Sequence, residues 1–166
     1  MRPGLNDDGP RLYIPAEMDA WALHNLGVKH TVACGCKPHF HNEFSYLQLH
    51  VQDNAHAHIG RLLQPAAYFI ATAIVRGENV LVHCKAGICR SATIICAYLL
   101  AHRQDLAPSP AAALELLRQA RPAARPRPEF LNALEAFSNH MRWRLETARM
   151  VRRTVGPRAA PRKQRK

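Results

Sequence analysis

The chain has 166 residues, 48% of them apolar and 21% charged, with a formal net charge of +11. That length supports one hydrophobic core and excludes two ordinary domains, and the composition excludes an intrinsically disordered chain. The leader MRPGLNDDGP lacks a signal peptide's apolar stretch, no apolar run exceeds about half a membrane span, and the irregularly spaced cysteines exclude a disulfide framework, so the expectation is a soluble, reduced protein of the cytoplasm or nucleus.

In chain order, the polar leader (residues 1–10) precedes RLYIP (11–15), a short edge-strand candidate closed by proline. AEMDAWALHNLG predicts a helix ending at Gly27, and VKHTVAC a strand. Residues 35–45 read as a loop, after which YLQLHV alternates as a strand does and delivers the chain to Asp53. Apolar side chains at Leu62, Leu63, Ala66, Phe69, Ile70, Ala73 and Ile74 predict a helix over 59–76 that contains Pro65 and stops at Gly77. NVLVHC is β-branched and apolar on both faces, the pattern of a central strand covered from two sides. Ser91 to His102 predicts a helix, and Ser109-Pro110 supplies an N-cap and a first-turn proline for another through Gln119.

RPAARPRP reads as a stiff connector, and Phe130, Leu134, Phe137, Met141 and Leu145 set the three-to-four-residue period of a last helix. That helix runs into a strongly basic end. Residues 141–166 hold 10 Lys+Arg against one acid (+9), which leaves 13 against 11 (+2) for residues 1–140. The expected organisation is a leader over 1–10, a folded domain over 11–150 and a basic tail over 151–166 without order beyond Gly156.

The chemistry gathers in His83-Cys84-Lys85-Ala86-Gly87-Ile88-Cys89-Arg90-Ser91, between the central strand and the helix after it. Such a loop can curl so that successive N–H groups converge on one point; Gly87 permits the turn, the helix start adds its positive end, and Arg90 offers two parallel charge-assisted hydrogen bonds. This is a site for a phosphate dianion. The same field favours thiolate, since helix N-termini and adjacent cations lower a cysteine pKa into a range of about 3.5 to 7.5. Cys84 is therefore read as a nucleophile that attacks a bound phosphoryl group in line to give a cysteinyl-phosphate, with Arg90 and the loop amides holding the equatorial oxygens and no metal required. Asp53, on a loop expected at the same sheet edge, is the candidate acid for the leaving oxygen and later the base for water. Ser91 is placed to donate to the departing thiolate and to cap the helix, and His83 to hold the loop backbone.

HCKAGICRS closely resembles the signature of the dual-specificity protein phosphatases. The resemblance extends through RLYIP, LGVKHTV, LHVQD, YFIATAIVRGENVLVHC, SATIICAYLL and RPEFLNALEAF, in the family's order, over roughly residues 11–140. It implies a single α/β domain with a central, mostly parallel sheet and helices on both sides. It also implies activity on phosphotyrosine, phosphoserine and phosphothreonine in proteins, with no cofactor. Cys84, Arg90, Asp53 and Ser91 match the family's nucleophile, phosphate clamp, general acid and thiolate-assisting hydroxyl, and Lys85 to Arg90 match its phosphate-binding loop. Cys89 stands where serine is common in the family, and the arginine-rich tail lies outside its pattern.

Competing readings are the same chemistry on phosphoinositide or RNA 5′-phosphates, and a non-catalytic phosphate-binding adaptor. Ile88, where tensin-type lipid phosphatases carry a second loop lysine, speaks against the lipid, and the presence of Cys84, Arg90 and Asp53 speaks against the adaptor. Cys89 is read as packing in preference to a reversible disulfide with Cys84. Cys34, Cys36, His39 and His41 lack a standard zinc spacing, His50, His56 and His58 read as solvent-facing, and Cys96 reads as core. The basic tail suits an anionic partner, either nucleic acid or a membrane surface.

Overall fold

The computed structural model of the chain describes residues 9–14, 20–38 and 43–155. Four strands, β1 (Leu12–Tyr13), β2 (Val28–Cys34), β3 (Ser45–Leu49) and β4 (Asn79–His83), form one sheet in the order β1-β4-β2-β3, with every pairing parallel. Strand β4 lies between two others, as its two-faced apolar sequence requires. Val80 and Val82 point into the larger core, while Leu81 joins Leu23, Val28 and Phe44 on the opposite face. Leu23 belongs to α1 (Ala20–Asn25), so that helix covers the smaller face. The expected helix begins at Ala16, but residues 15–19 lie outside the described set.

The larger face carries α2 (Gly60–Val75), α3 (Arg90–His102), α4 (Pro110–Ala120) and α5 (Pro128–Val155). Helix α2 buries Leu63, Ala66, Ala67, Ile70 and Ala73 and runs unbroken through Pro65, which lies on its exposed side. Ser109 caps α4 as its sequence predicts, accepting from Ala112 N at 3.2 Å, with Pro110 in the first turn. Residues Arg90 through Leu100 of α3 are all buried, because α2, α4 and α5 close round the helix. Ile94→Ala is therefore expected to cost about 2–5 kcal/mol in urea denaturation, against within about 0.5 kcal/mol for a featureless surface site.

Helix α5 buries Phe130, Leu134 and Phe137 against this core and packs Met141 on its edge. Leu145, the last member of the sequence period, is 38% exposed because the helix has by then passed the body. The helix continues through Val155, into the segment assigned to the tail; the stretch beyond Gly156 lies outside the described residues. No helix among the described residues is long and apolar enough to cross a membrane. Since all the strands are parallel, the segments that follow β2, β3 and β4 emerge at one edge, carrying Gly35, Asp53 and Cys84 to the N-terminus of α3.

Candidate active site

Cys84 leaves β4 with its side chain almost buried, and its Sγ lies 3.2 Å from Ser91 Oγ in the first turn of α3. Burial pushes the thiol upward, but donation from the Ser91 hydroxyl and from the backbone N–H groups of Ser91, Ala86 and Ile88 outweighs it. The result lies below the ordinary value of 9.0, at about 7. The loop is thus a nest of donors with the sulfur at its focus. Gly87 makes the curl possible with φ of 62°, a left-handed conformation that side-chain-bearing residues resist.

The loop carbonyls point the other way and are held from behind. Arg121 donates through Nη2 to Ala86 O and through Nε to Gly87 O, both at 3.3 Å, and the Arg125 N–H donates to Ile88 O at 2.8 Å. The RPAARPRP connector is therefore the brace that keeps the loop amides facing inward. Lys85 and Ala86 are exposed at the loop's outer rim, and Ile88 is half-buried.

Arg90 is buried and oriented by backbone carbonyls. Its Nη1 donates to Gly35 O at 2.9 Å and approaches Val51 O at 3.4 Å, which fixes one side of the guanidinium. On the other side Nε has no hydrogen-bond partner, although Asp53 Oδ2 lies 3.5 Å away. An arginine anchored through Nη1, with its Nε lacking a hydrogen-bond partner, keeps donors for a forked phosphate contact. Gly35 makes room for this anchor. Its φ is +65°, and a Cβ there would fall 1.9 Å from Val51 O and 2.3 Å from Arg90 Nη1.

Asp53 lies among groups far from it in sequence. Arg127 Nη1 donates to Asp53 O at 2.6 Å and to Oδ1 at 3.4 Å, while its Nε donates to Glu129 Oε2 at 3.3 Å. Arg90 faces Oδ2, and the Cys89 thiol lies within electrostatic reach of the same carboxylate. Burial and then the Asp53 carboxylate push Cys89 up to about 12, so this thiol stays protonated. Cys89 packs against the larger core as read from the sequence, with Asp53 close to its thiol.

The remaining candidates divide. His83 is buried, with Nδ1 3.5 Å from Cys36 Sγ. Burial raises both Cys34 and Cys36, and the nearby Cys84 charge raises them further. His39 and His41, half of the four-residue zinc candidate, lie outside the described residues. His50, His56 and His58 are exposed, and Cys96 is fully buried in α3. Gly35, Arg121, Arg125 and Arg127 are the functional positions that sequence reading missed.

Comparison with known proteins matches the geometry. The family model for the dual specificity phosphatase catalytic domain covers residues 12–140. Dual specificity protein phosphatase 15 of Mus musculus is 31% identical over 145 residues, 82% of this chain and 59% of that protein. Dual specificity protein phosphatase 2 of Homo sapiens is 31% identical over 149 residues, 84% of this chain and 46% of that protein. The chain thus spans roughly half the length of these relatives. Among solved structures, human DUSP28 superposes with a TM-score of 0.73 at 27% identity, covering 80% of this chain and 94% of that one. DUSP15 gives a TM-score of 0.72 at 28% identity, covering 88% and 97%. With the family model matched over residues 12–140 and its fold superposing on solved members, this chain belongs to the dual specificity phosphatase catalytic-domain family.

Proposed function

We propose that the chain is a protein phosphatase that hydrolyses phosphotyrosine, phosphoserine and phosphothreonine through a cysteinyl-phosphate on Cys84. The observation that carries this reading is a thiol lowered to about 7 beneath converging amides, followed six residues later by a buried arginine whose Nε has no hydrogen-bond partner. A phosphate dianion entering the loop takes the free edge of Arg90 that Asp53 now faces. The Cys84 thiolate attacks phosphorus in line, the P–O bond to the leaving group breaks, and the Asp53 carboxyl hands its proton to the departing oxygen. Water then attacks the phosphorus of the cysteinyl-phosphate with Asp53 taking its proton, a P–O bond forms as the S–P bond breaks, and sulfur leaves as a thiolate stabilised by the Ser91 hydroxyl and the loop amides. Arg90 and the amides bear the equatorial charge in both steps.

Alkylation by iodoacetamide tests the thiol directly. Its rate is expected to rise with pH and level off above about 7, and Ser91→Ala to move that midpoint up by about one unit or more, since hydrogen bonds to charged groups contribute ~1.5–3 kcal/mol and one unit is 1.36. A wild-type midpoint near 9 would remove the nucleophile assignment.

Asp53→Asn is expected to slow release from phosphoserine peptides by about 10²-fold while barely affecting p-nitrophenyl phosphate, whose leaving group needs no proton. Equal slowing of both would assign Asp53 a structural task instead. Phosphopeptides, phosphoinositide and 5′-phosphorylated RNA assayed side by side decide the substrate class; turnover confined to lipid or RNA would overturn the protein assignment.

A further inference from the structure

Past Met141 helix α5 leaves the body, and every residue from 142 to 153 is exposed. The core-facing line runs through Phe130, Leu134, Phe137 and Met141. At about 100° per residue Trp143 lies about 200° round from Met141, on the outward face, and Met150 returns to that line two turns later. Trp143, Met150 and Val151 are 61%, 66% and 52% exposed. By the same rotation Arg142, Arg149 and Arg153 form a row along one side of this stripe, with Arg144 on the other. Glu146 is the one acid in residues 141–166, against 10 Lys+Arg. The indole is stacked on His140 at 6.0 Å between ring centroids, so it is presented outward rather than folded back on the domain.

We infer that this projecting segment is a docking surface for an anionic lipid bilayer. A solvated helix end explains the arginines but not an outward tryptophan and methionine set between them. Nucleic acid answers the charge, yet it would leave the indole and thioether against sugars and phosphates. A bilayer surface accepts both parts, with apolar side chains at the acyl boundary and guanidinium groups among the phosphate headgroups. The stripe begins about 22 Å along the helix from Pro128, the end that adjoins Asp53 through Arg127, so docking leaves the phosphate loop open.

The test uses the full chain with phosphatidylcholine vesicles, alone or containing about one-third phosphatidylserine. Sedimentation is expected with the anionic vesicles only and to fall as salt rises. Trp143→Ala is expected to weaken it about tenfold, and the combined Arg142→Glu, Arg149→Glu and Arg153→Glu substitutions by about 10²-fold or more. All these variants should turn over p-nitrophenyl phosphate like wild type, which verifies folding, and Cys84→Ser should bind vesicles like wild type, which separates docking from the phosphatase assignment. No sedimentation, equal sedimentation with phosphatidylcholine alone, indifference to Trp143→Ala, or retention on duplex DNA without vesicle binding would each overturn the inference.

Discussion

Cys84→Ser is expected to lose aryl phosphate turnover by about 10⁴-fold or more, on the scale that removing an activated nucleophile costs elsewhere, while retaining its grip on inorganic phosphate. The asymmetry follows from who supplies what. The amides of Ala86, Ile88 and Ser91 and the free edge of Arg90 belong to the backbone and to other residues, so the phosphate cradle survives the substitution. The nucleophile does not, since a serine hydroxyl in the same nest is not ionised near neutrality. Steady-state hydrolysis read beside phosphate titration calorimetry separates these two quantities. Turnover within tenfold of wild type, or loss of phosphate binding with hydrolysis, would sink the assignment.

The same thiol links catalysis to stability. It ionises at about 7 in the folded chain, against a reference of 9.0, so between those values the unfolded chain holds the extra proton. Wild type should therefore gain stability over Cys84→Ser as pH rises through that window, by about 2–3 kcal/mol at full extent, and lose the advantage as pH falls through 7.

Strands were legible because burial leaves a mark in composition. VKHTVAC is β2 residue for residue, and the two-faced apolar run NVLVHC is the interior strand β4 except for its last residue, Cys84. The curled donor loop after β4 was legible because its spacing is a local property: amides, glycine, thiol and arginine must stand in register along nine residues to build one nest. Its support was not legible, because those contacts are made to backbone carbonyls. Arg121 holds Ala86 O and Gly87 O across more than thirty positions, and nothing in RPAARPRP distinguishes a brace from a solvated connector. Arg127 escaped for a related reason: its strongest contact is with Asp53 O, an atom every residue possesses. Cys89 was visible as a departure from the family, but its proximity to Asp53 depends on how two loops meet. The sequence singled out Arg90 while leaving unseen which of its nitrogens would be committed; that is decided by the carbonyls of Gly35 and Val51.

Gly35→Ala is expected to reduce kcat/KM by about 10³-fold, although residue 35 touches neither the sulfur nor the substrate phosphate. Two costs coincide there. Alanine at φ of +65° is strained by roughly 1–3 kcal/mol. Its methyl carbon would also fall 1.9 Å from Val51 O and 2.3 Å from Arg90 Nη1, distances that backbone and buried guanidinium can relieve only by moving apart. The movement releases Nη1 from Gly35 O and swings the free edge of Arg90 away from the loop, so both phosphate affinity and the charge stabilisation of the transition state fall. The Cys84 thiol keeps its Ser91 and amide donors, so the pH midpoint of alkylation should stay near 7 while phosphate affinity drops. If the effect passes through Arg90, combining Gly35→Ala with Arg90→Lys should cost little more than Arg90→Lys alone, since residues in one contact network are not additive. Additive losses, or a shifted alkylation midpoint with phosphate affinity intact, would show that Gly35 acts on the thiol loop rather than on the clamp.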